Sequence, residues 1–557
     1  MEMIERKLER ILNKVQKPAR YTGGEYNQVV KSKQDVKVRV AFCFPDTYEI
    51  GMSNLGLRII YGVLNDIEDV WCERVFAPWT DMETEMRTNN IPLYGLESHD
   101  SIKDFDIVAF SIGYELSYTN VLNMLDLAGI PLRCEDRGED DPLVIAGGSS
   151  CFNPEPMAGF IDLFVIGDGE EVVVELLDIY KTISEKKRFL NTASALSGVY
   201  VPSLYNKNSP QVVKRVVENL DDSYFPVDTI VPSTSVVHDR AVLELFRGCI
   251  RGCKFCMAGH TGYPVRSRSP ETLVKQGIAA IENSGYDEIA LLSLSTSDYK
   301  HLEKLCDDLM MWCEPRKVNL SLPSLRADSF SIELMERVQK VRKSGLTFAP
   351  EAGSQRLRDY INKNITEDDL LEACRVAFEG GWNSVKLYFM LGLPTETDDD
   401  VVAIANLSNS VLQVWKNSSG SKKRGVRITV STSCFVPKPH TAFEREAQLP
   451  ITEYLKRVDL LRSSIRSKSI TYNWHSPQQG YIEAVLSRGD RQVGDVVEAV
   501  WRLGARMDSW SEHFSFDKWK TAFDECSVDP EYYTVRERPD DEVLPWSFVK
   551  TGRCCHE

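Results

Sequence analysis

The sequence lacks any apolar run of about 18 residues, the length a helix needs to cross a bilayer. It also lacks an apolar signal core, since it opens with the charged stretch Met-Glu-Met-Ile-Glu-Arg-Lys. These two absences lead to the expectation of a cytoplasmic protein with no membrane partner. Positive charge is in deficit: 66 Lys and Arg stand against 82 Asp and Glu, a net −16. That speaks against broad nonspecific nucleic-acid binding, which phosphate neutralisation drives. The local cluster of Lys422, Lys423, Arg424 and Arg427 reads as a solvated loop face. No repeat at solenoid periods is present. Cysteine, by contrast, is plentiful, with 14 residues. Without a secretory leader these form no disulfide framework and point to a reducing compartment. At 557 residues the chain exceeds one hydrophobic core, so two or three domains are expected.

The pattern along the chain predicts an α/β protein. Residues 1–36 form a charged N-terminal segment. Over residues 37–200, strand candidates at Val38 to Phe44, Ile107 to Ser111, Leu143 to Ala146 and Leu163 to Ile166 alternate with helical stretches. That alternation predicts a doubly wound parallel sheet covered on both faces. Residues 201–237 read as a proline-bearing connector. A second series of six strand–helix units over residues 238–450 predicts a partial (β/α)6 barrel, with chemistry at the strand C-terminal ends. Residues 451–557 read as a helical C-terminal region.

Cys249, Cys253 and Cys256 sit at CxxxCxxC spacing, directly after the strand candidate Ala241 to Phe246. The spacing i, i+4, i+7 is also that of one helical face. Gly248, Gly252 and Gly259 argue against a helix, since each costs about 1 kcal/mol relative to Ala. A glycine-punctuated loop can instead turn three thiolates inward. Three thiolates without a fourth leave a metal centre one open position, the mark of a reactive site. A zinc reading needs a further ligand, for which His260 is nearest. At the other end, Cys554, Cys555 and His556 are adjacent in sequence, poor geometry for tetrahedral zinc, and read as a frayed tail.

The cysteine segment resembles the radical S-adenosylmethionine (radical SAM) superfamily. The resemblance implies a 4Fe-4S cluster held by the three cysteines, with SAM on its fourth iron. It also implies an enzyme that cleaves SAM reductively to a 5′-deoxyadenosyl radical, fed by a reductant such as flavodoxin or ferredoxin. Polar residues follow successive strand candidates, and the resemblance carries Ser295, Arg326 and Glu351 over as SAM-binding. Each of these also fits a helix cap or solvated loop. The stretch from Phe435 to Phe443, with Pro437-Lys438-Pro439, is similar to the substrate-opening segment of methylthiotransferases and cobalamin-class radical SAM proteins. The N-terminal region resembles a flavodoxin-like cobalamin-binding domain. There the Asp46 to Gly51 loop matches the family's D-x-H-x-x-G, with Tyr48 where the cobalt-ligating histidine stands. Ser111 and Gly147 are the further cofactor-binding counterparts, and Tyr48 is expected to shape the lower face of a cobalamin without ligating it.

Lys17 to Glu25, Pro45 to Gly51, Tyr114 to Asn120, Asn153 to Pro156 and Arg247 to Cys253 occur together. On them the chain resembles an uncharacterised bacterial family of cobalamin-binding-domain-like radical SAM proteins. The resemblance implies methyl transfer to an unactivated carbon if cobalamin binds. Two alternatives stay open. One is an iron–sulfur sensor that does not cleave SAM. The other is a cobalamin-free radical SAM enzyme whose N-terminal domain recognises a macromolecule. The substrate is left open among RNA, protein and small molecule.

Overall fold

The computed structural model describes residues 4–183, 185–206, 209–322, 346–418 and 425–552. Arg326, Lys422 to Arg424 and the tail from Cys554 to His556 lie outside these. The first sheet comprises β1 (Val38–Phe44), β2 (Val70–Phe76), β3 (Ile107–Ser111), β4 (Leu143–Gly147), β5 (Leu163–Val165) and β6 (Val199–Tyr200). Its order is β2-β1-β3-β4-β5-β6, parallel except at the β5–β6 pair. The first five strands therefore run in the 2-1-3-4-5 order whose switch point lies between β1 and β3. Every residue of β2 is buried, as a sheet covered on both faces requires. The sequence reading missed β2 because Glu73 and Arg74 interrupt its apolar run. Both are fully buried and paired, Glu73 with Arg39 and Arg74 with Glu25 and Glu97.

The second series gives two parallel sheets. One holds β7 (Ala241–Glu244), β8 (Glu288–Leu292) and β9 (Asn319–Ser321) in the order β9-β8-β7. The other holds β10 (Leu346–Glu351), β11 (Ser384–Leu391), β12 (Arg427–Cys434) and β13 (Ile470–Trp474), in that order. Helices alternate with the strands. Pro270–Ser284 starts where the Ser269 side chain accepts from the Thr272 amide, and Thr366 and Asp369 form a capping box on Glu367–Glu379. The six-unit expectation is one strand short, because β13 lies beyond residue 450 and pairs with β12 along five residues.

The region after β13 is not a separate helical unit. Helices Pro477–Arg488, Arg491–Arg502 and Phe516–Cys526 join the hydrophobic core of the first sheet. Val493, Val496, Val497 and Val500 recur at helical spacing and are completely buried there. Each contributes about 1.5–3 kcal/mol by burial. The family motifs of the N-terminal domain receive this region. Asn153 donates to the Ser487 and Gly489 carbonyls, Asn120 accepts from the Met507 amide, and Thr119 donates to Asp508. Val549–Lys550 then pairs with Val212–Val213 of the connector. The boundary expected at residue 451 therefore falls inside the second strand series, and the chain's last portion returns to the first domain.

Candidate active site between the two domains

The cysteine loop is closed at its base by a two-residue antiparallel ribbon, Phe246–Arg247 against Arg266–Ser267. Gly248 has φ 87°, and a Cβ there would stand 2.6 Å from the Gly262 carbonyl oxygen, so only glycine fits. The loop is tied to two strand ends. Arg251 Nε donates to Asp298 Oδ2 at 2.7 Å, just past β8. Beyond β10, Asn362 donates to the Gly252 carbonyl at 2.9 Å, and the Lys254 amide donates to the Ile361 carbonyl at 3.1 Å. Phe255 packs into the small cluster of Ala352, Leu357 and Ile361. Cys249, Cys253 and Cys256 are all partly exposed. Among the described residues, no three His, Cys, Asp or Glu side chains stand together as a ready-made metal site. Burial pushes the Cys256 thiol up, against the Gly259 amide and the nearby Lys363 ammonium.

Two of the residues carried over as SAM-binding lie at the expected strand ends. Ser295 is 2% exposed, and its hydroxyl and that of Ser297 are buried without a hydrogen-bond partner. A buried hydroxyl left so costs about 1–3 kcal/mol, which a ligand can relieve. Glu351 follows a register shift in β10 and has φ 68°, the kind of local strain that functional sites retain. Its carboxylate accepts from Lys363 Nζ at 3.1 Å and stays half-buried. Lys438 does not open onto this space. It is clamped between Glu115 Oε1 at 2.9 Å and Glu483 Oε1 at 2.8 Å, joining the two domains. His440 follows it, and burial lowers its imidazole to about 4. The ring is therefore neutral, and its Nε2–H donates to the Phe152 carbonyl at 2.9 Å.

An apolar cavity of about 460 Å3 lies against one face of the first sheet. Val40, Phe42, Ile107, Ala109 and Ile145 form its floor, and Ile59, Ile60, Val173 and Leu176 of the covering helices form its roof. Ser111 and Gly147, both singled out in sequence, are on its wall. Tyr48 is not. It is 1% exposed, its hydroxyl donates to Glu25 Oε1 at 2.9 Å, and its ring stands edge-on to Phe76. Its place in the sequence loop located the turn but not the direction of the side chain, which leaves Tyr48 off the wall of this cavity.

The mouth of the cavity is the turn Gly167 to Glu170 with Gly148, Glu244, Arg247 and Leu292. A second cavity of about 450 Å3 shares Gly148, Gly167, Asp168, Glu244, Arg247 and Leu292, and continues along Met257, Ala258 and Thr261 of the cysteine loop. The apolar cavity therefore opens toward the loop. The same turn pins the loop's base. Arg247 pairs with Glu170 at 2.5 Å, Asp168 at 3.3 Å and Glu244 at 2.9 Å, and Arg266 also pairs with Asp168. Burial alone would raise the Asp168 carboxyl, but Arg247 and Arg266 outweigh it and hold it below the usual carboxylate range.

Residues 56–202 match the family described as radical SAM proteins, N-terminal, and residues 243–408 match the radical SAM superfamily. The chain belongs to the radical SAM superfamily. It is an enzyme of that superfamily. It is 27% identical over 494 residues to the uncharacterized protein MJ0966 of Methanocaldococcus jannaschii, covering 88% of this chain and 97% of that one. Among solved structures it resembles TsrM of Kitasatospora setae, a radical SAM methyltransferase with cobalamin and a 4Fe-4S cluster bound. The TM-score is 0.55 at 11% identity, over 88% of this chain and 100% of the other. It also resembles OxsB, a cobalamin-dependent SAM radical enzyme, with a TM-score of 0.51 at 13% identity, over 88% of this chain and 70% of the other. At these identities the likeness is one of fold.

Proposed function

We propose that the protein is a radical SAM methyltransferase that uses a 4Fe-4S cluster, SAM and cobalamin to methylate an unactivated carbon. The observation that carries this reading is the apolar cavity opening onto the cysteine loop. A radical SAM enzyme without a second cofactor has no need of an apolar cavity of that size in its other domain, and apolar walls favour a ligand's apolar bulk over water. The likeness to TsrM and OxsB supports the same reading.

The two strand series beyond residue 238 would form the partial barrel, with the cysteine loop after its first strand. The donor set fits a cluster: Cys249, Cys253 and Cys256 supply three soft thiolates and leave one position open. When bound, the cluster supplies the electron that cleaves SAM to a 5′-deoxyadenosyl radical, and cobalamin supplies a methyl carrier. The protein's own residues bind, orient and exclude water. Glu351 would accept from the SAM ribose hydroxyls while Lys363 fixes its carboxylate, and Ser295 would give its orphaned hydroxyl to SAM. Ser111, Gly147 and the Gly167 to Gly169 turn would admit the cobalamin tail. No histidine is among the described residues lining the cavity, so no imidazole there would reach a bound corrinoid, and Ser111 and the glycine turns would shape its pocket. The electron donor would be a carrier such as flavodoxin or ferredoxin, and the setting cytoplasmic.

The test is anaerobic purification and reconstitution of the full chain, with corrinoid analysis and reduction by dithionite in the presence of SAM. Stoichiometric corrinoid together with 5′-deoxyadenosine supports the reading. A loaded cluster that makes no 5′-deoxyadenosine points to an iron–sulfur sensor. SAM cleavage without corrinoid binding points to a cobalamin-free enzyme whose first domain recognises its target.

A further inference from the structure

The four-stranded sheet has two unlike faces. Val385, Leu387, Phe389 and Leu391 of β11 pack with Ile428, Val430 and Ile470 against the covering helices. The alternate residues face the other way, into the interior of the strand series. One register row on that face reads Thr347, Lys386, Thr429, Thr471 across β10, β11, β12 and β13. Lys386 and Thr429 are half-buried, and Thr347 and Thr471 are exposed.

The row is a cation among three hydroxyls, with no counter-charge among the described residues. Lys386 Nζ stands 4.4 Å from the centroid of the Tyr388 ring, and among the described residues it makes no ion pair. The row below adds Arg427 beside Ser384, and the row above adds Tyr388, Ser431 and Asn473. None of these positions is a carboxylate. The inward carboxylates, Glu244 of β7 and Glu351 at the end of β10, are already neutralised by Arg247 and Lys363. A half-buried cation that meets an aromatic ring but, among the described residues, no carboxylate still has donors to offer an anion. One ammonium flanked by hydroxyls in a single layer matches an oxyanion with several acceptor oxygens.

We infer that this row binds a phosphate or carboxylate of the substrate, so that the substrate of the reaction proposed above is an anionic molecule whose charged end is held inside the strand series. The depth of the row separates it from the SAM residues. Glu351 pairs in register with Phe389, three residues beyond Lys386, a rise of about 10 Å along the strand. The anion is therefore held below the level at which Glu351 stands, and its other end can extend upward to the cysteine loop. This assignment of a substrate class rests on the radical SAM reading, but its test needs no SAM cleavage.

The experiment uses the full, cluster-reconstituted chain without reductant, with inorganic phosphate followed by phosphorus NMR line width and succinate by titration calorimetry. Saturable binding of at least one probe is expected. Lys386→Met should weaken it by at least about tenfold, the loss expected for a charge-assisted contact. Thr429→Val should weaken it by about threefold, as for one neutral hydrogen bond, and guards against a folding defect in the first variant. SAM affinity should stay unchanged in both. The inference is overturned if neither probe binds saturably, or if both variants bind like the native chain. It is also overturned if SAM displaces the probe and Lys386→Met weakens SAM equally, since the row would then serve the carboxylate of SAM. A chain that binds phosphate at this row yet never cleaves SAM retains the anion site and loses only the proposed reaction.

Discussion

The open faces of the two large parallel sheets differ in kind. The first sheet presents Val40, Phe42, Ile107, Ala109 and Ile145 to an apolar cavity roofed by helices. The four-stranded sheet presents Thr347, Lys386, Thr429 and Thr471 to an open interior. Helical cover and side-chain chemistry both separate them: one face is apolar and roofed, the other polar and not roofed by the helices packed on its opposite side. An apolar void contributes affinity through area, about 25 cal/mol per Å2 removed from water, and has little directional demand. A polar, open face contributes direction, because each unpaired donor wants a partner at a set place. The cysteine loop lies between, pinned by the Gly167 to Glu170 turn of the first domain and by Asp298 and Asn362 of the second. On the proposed reading the molecule would separate holding a bulky group from directing a reacting one, and join the two at a loop.

If that division is right, the two sides can be emptied independently. Replacing Cys249, Cys253 and Cys256 together by Ala should take iron from about four per chain to near zero. Corrinoid binding should persist, because none of the three lines the apolar cavity. Iron that survives the triple change would break the cluster assignment. The reverse experiment is Ala109→Trp, which places an indole in a void of about 460 Å3. Hydroxocobalamin affinity, read by absorbance titration, should fall by at least about 100-fold, close to 3 kcal/mol. Iron content should be unchanged, and stability should fall by no more than about 1–3 kcal/mol, the usual cost of overpacking. Undiminished corrinoid binding would show that this void is not the cofactor's place.

A narrower test falls on the directing side. Glu351→Ala should weaken SAM by about 10- to 100-fold, the worth of one charge-assisted hydrogen bond of about 1.5–3 kcal/mol. Lys363→Met is the control, because the change at Glu351 also strands that ammonium. Equilibrium dialysis with the reconstituted protein reads both. An unaltered SAM affinity in Glu351→Ala would leave the residue as a loop anchor only.

The cysteine loop was legible in sequence because its chemistry is local: spacing, glycines and a preceding strand suffice. The positions of Ser295 and Glu351 were legible for the same reason, being counted from strand ends. The fate of Tyr48 was not, because position in a turn says nothing of whether a side chain points to the cavity or to Glu25. β2 was hidden by Glu73 and Arg74, whose partners Arg39, Glu25 and Glu97 are distant in sequence. The motifs from Tyr114 to Asn120 and Asn153 to Pro156 carried the family resemblance without a structural role, and Asn120 and Asn153 hold the returning C-terminal region. The cavity itself has no sequence signal. It is a gap between the sheet and two helices, and periodicity records which residues face inward but not how far apart the faces stand.

The returning region gives the last and smallest lever on the comparison, since it packs on the first sheet and not on the polar face of the second. Asp508 is completely buried at that contact, accepting from Thr119 Oγ1 at 2.8 Å and Trp519 Nε1 at 3.4 Å. Burial pushes its carboxyl up to about 6. The unfolded value is about 3.9, so the folded chain keeps a proton that the unfolded chain has lost between those values. With more protons bound in the folded state, stability falls as pH rises from about 4 to about 6 and is level above that. The total is about 1–3 kcal/mol, at about 1.4 kcal/mol per unit. Asp508→Asn keeps an oxygen for Thr119 and removes the ionisation, so its urea midpoint should be flat over this window and higher than the native one at about pH 7. Corrinoid affinity should follow the same pH curve in the native chain, because the helices carrying the contact complete the core beneath the cavity, while iron content should not. Parallel pH profiles for the native and Asn chains would refute a buried, protonated Asp508. A pH-dependent iron content would refute the separation of the two sides.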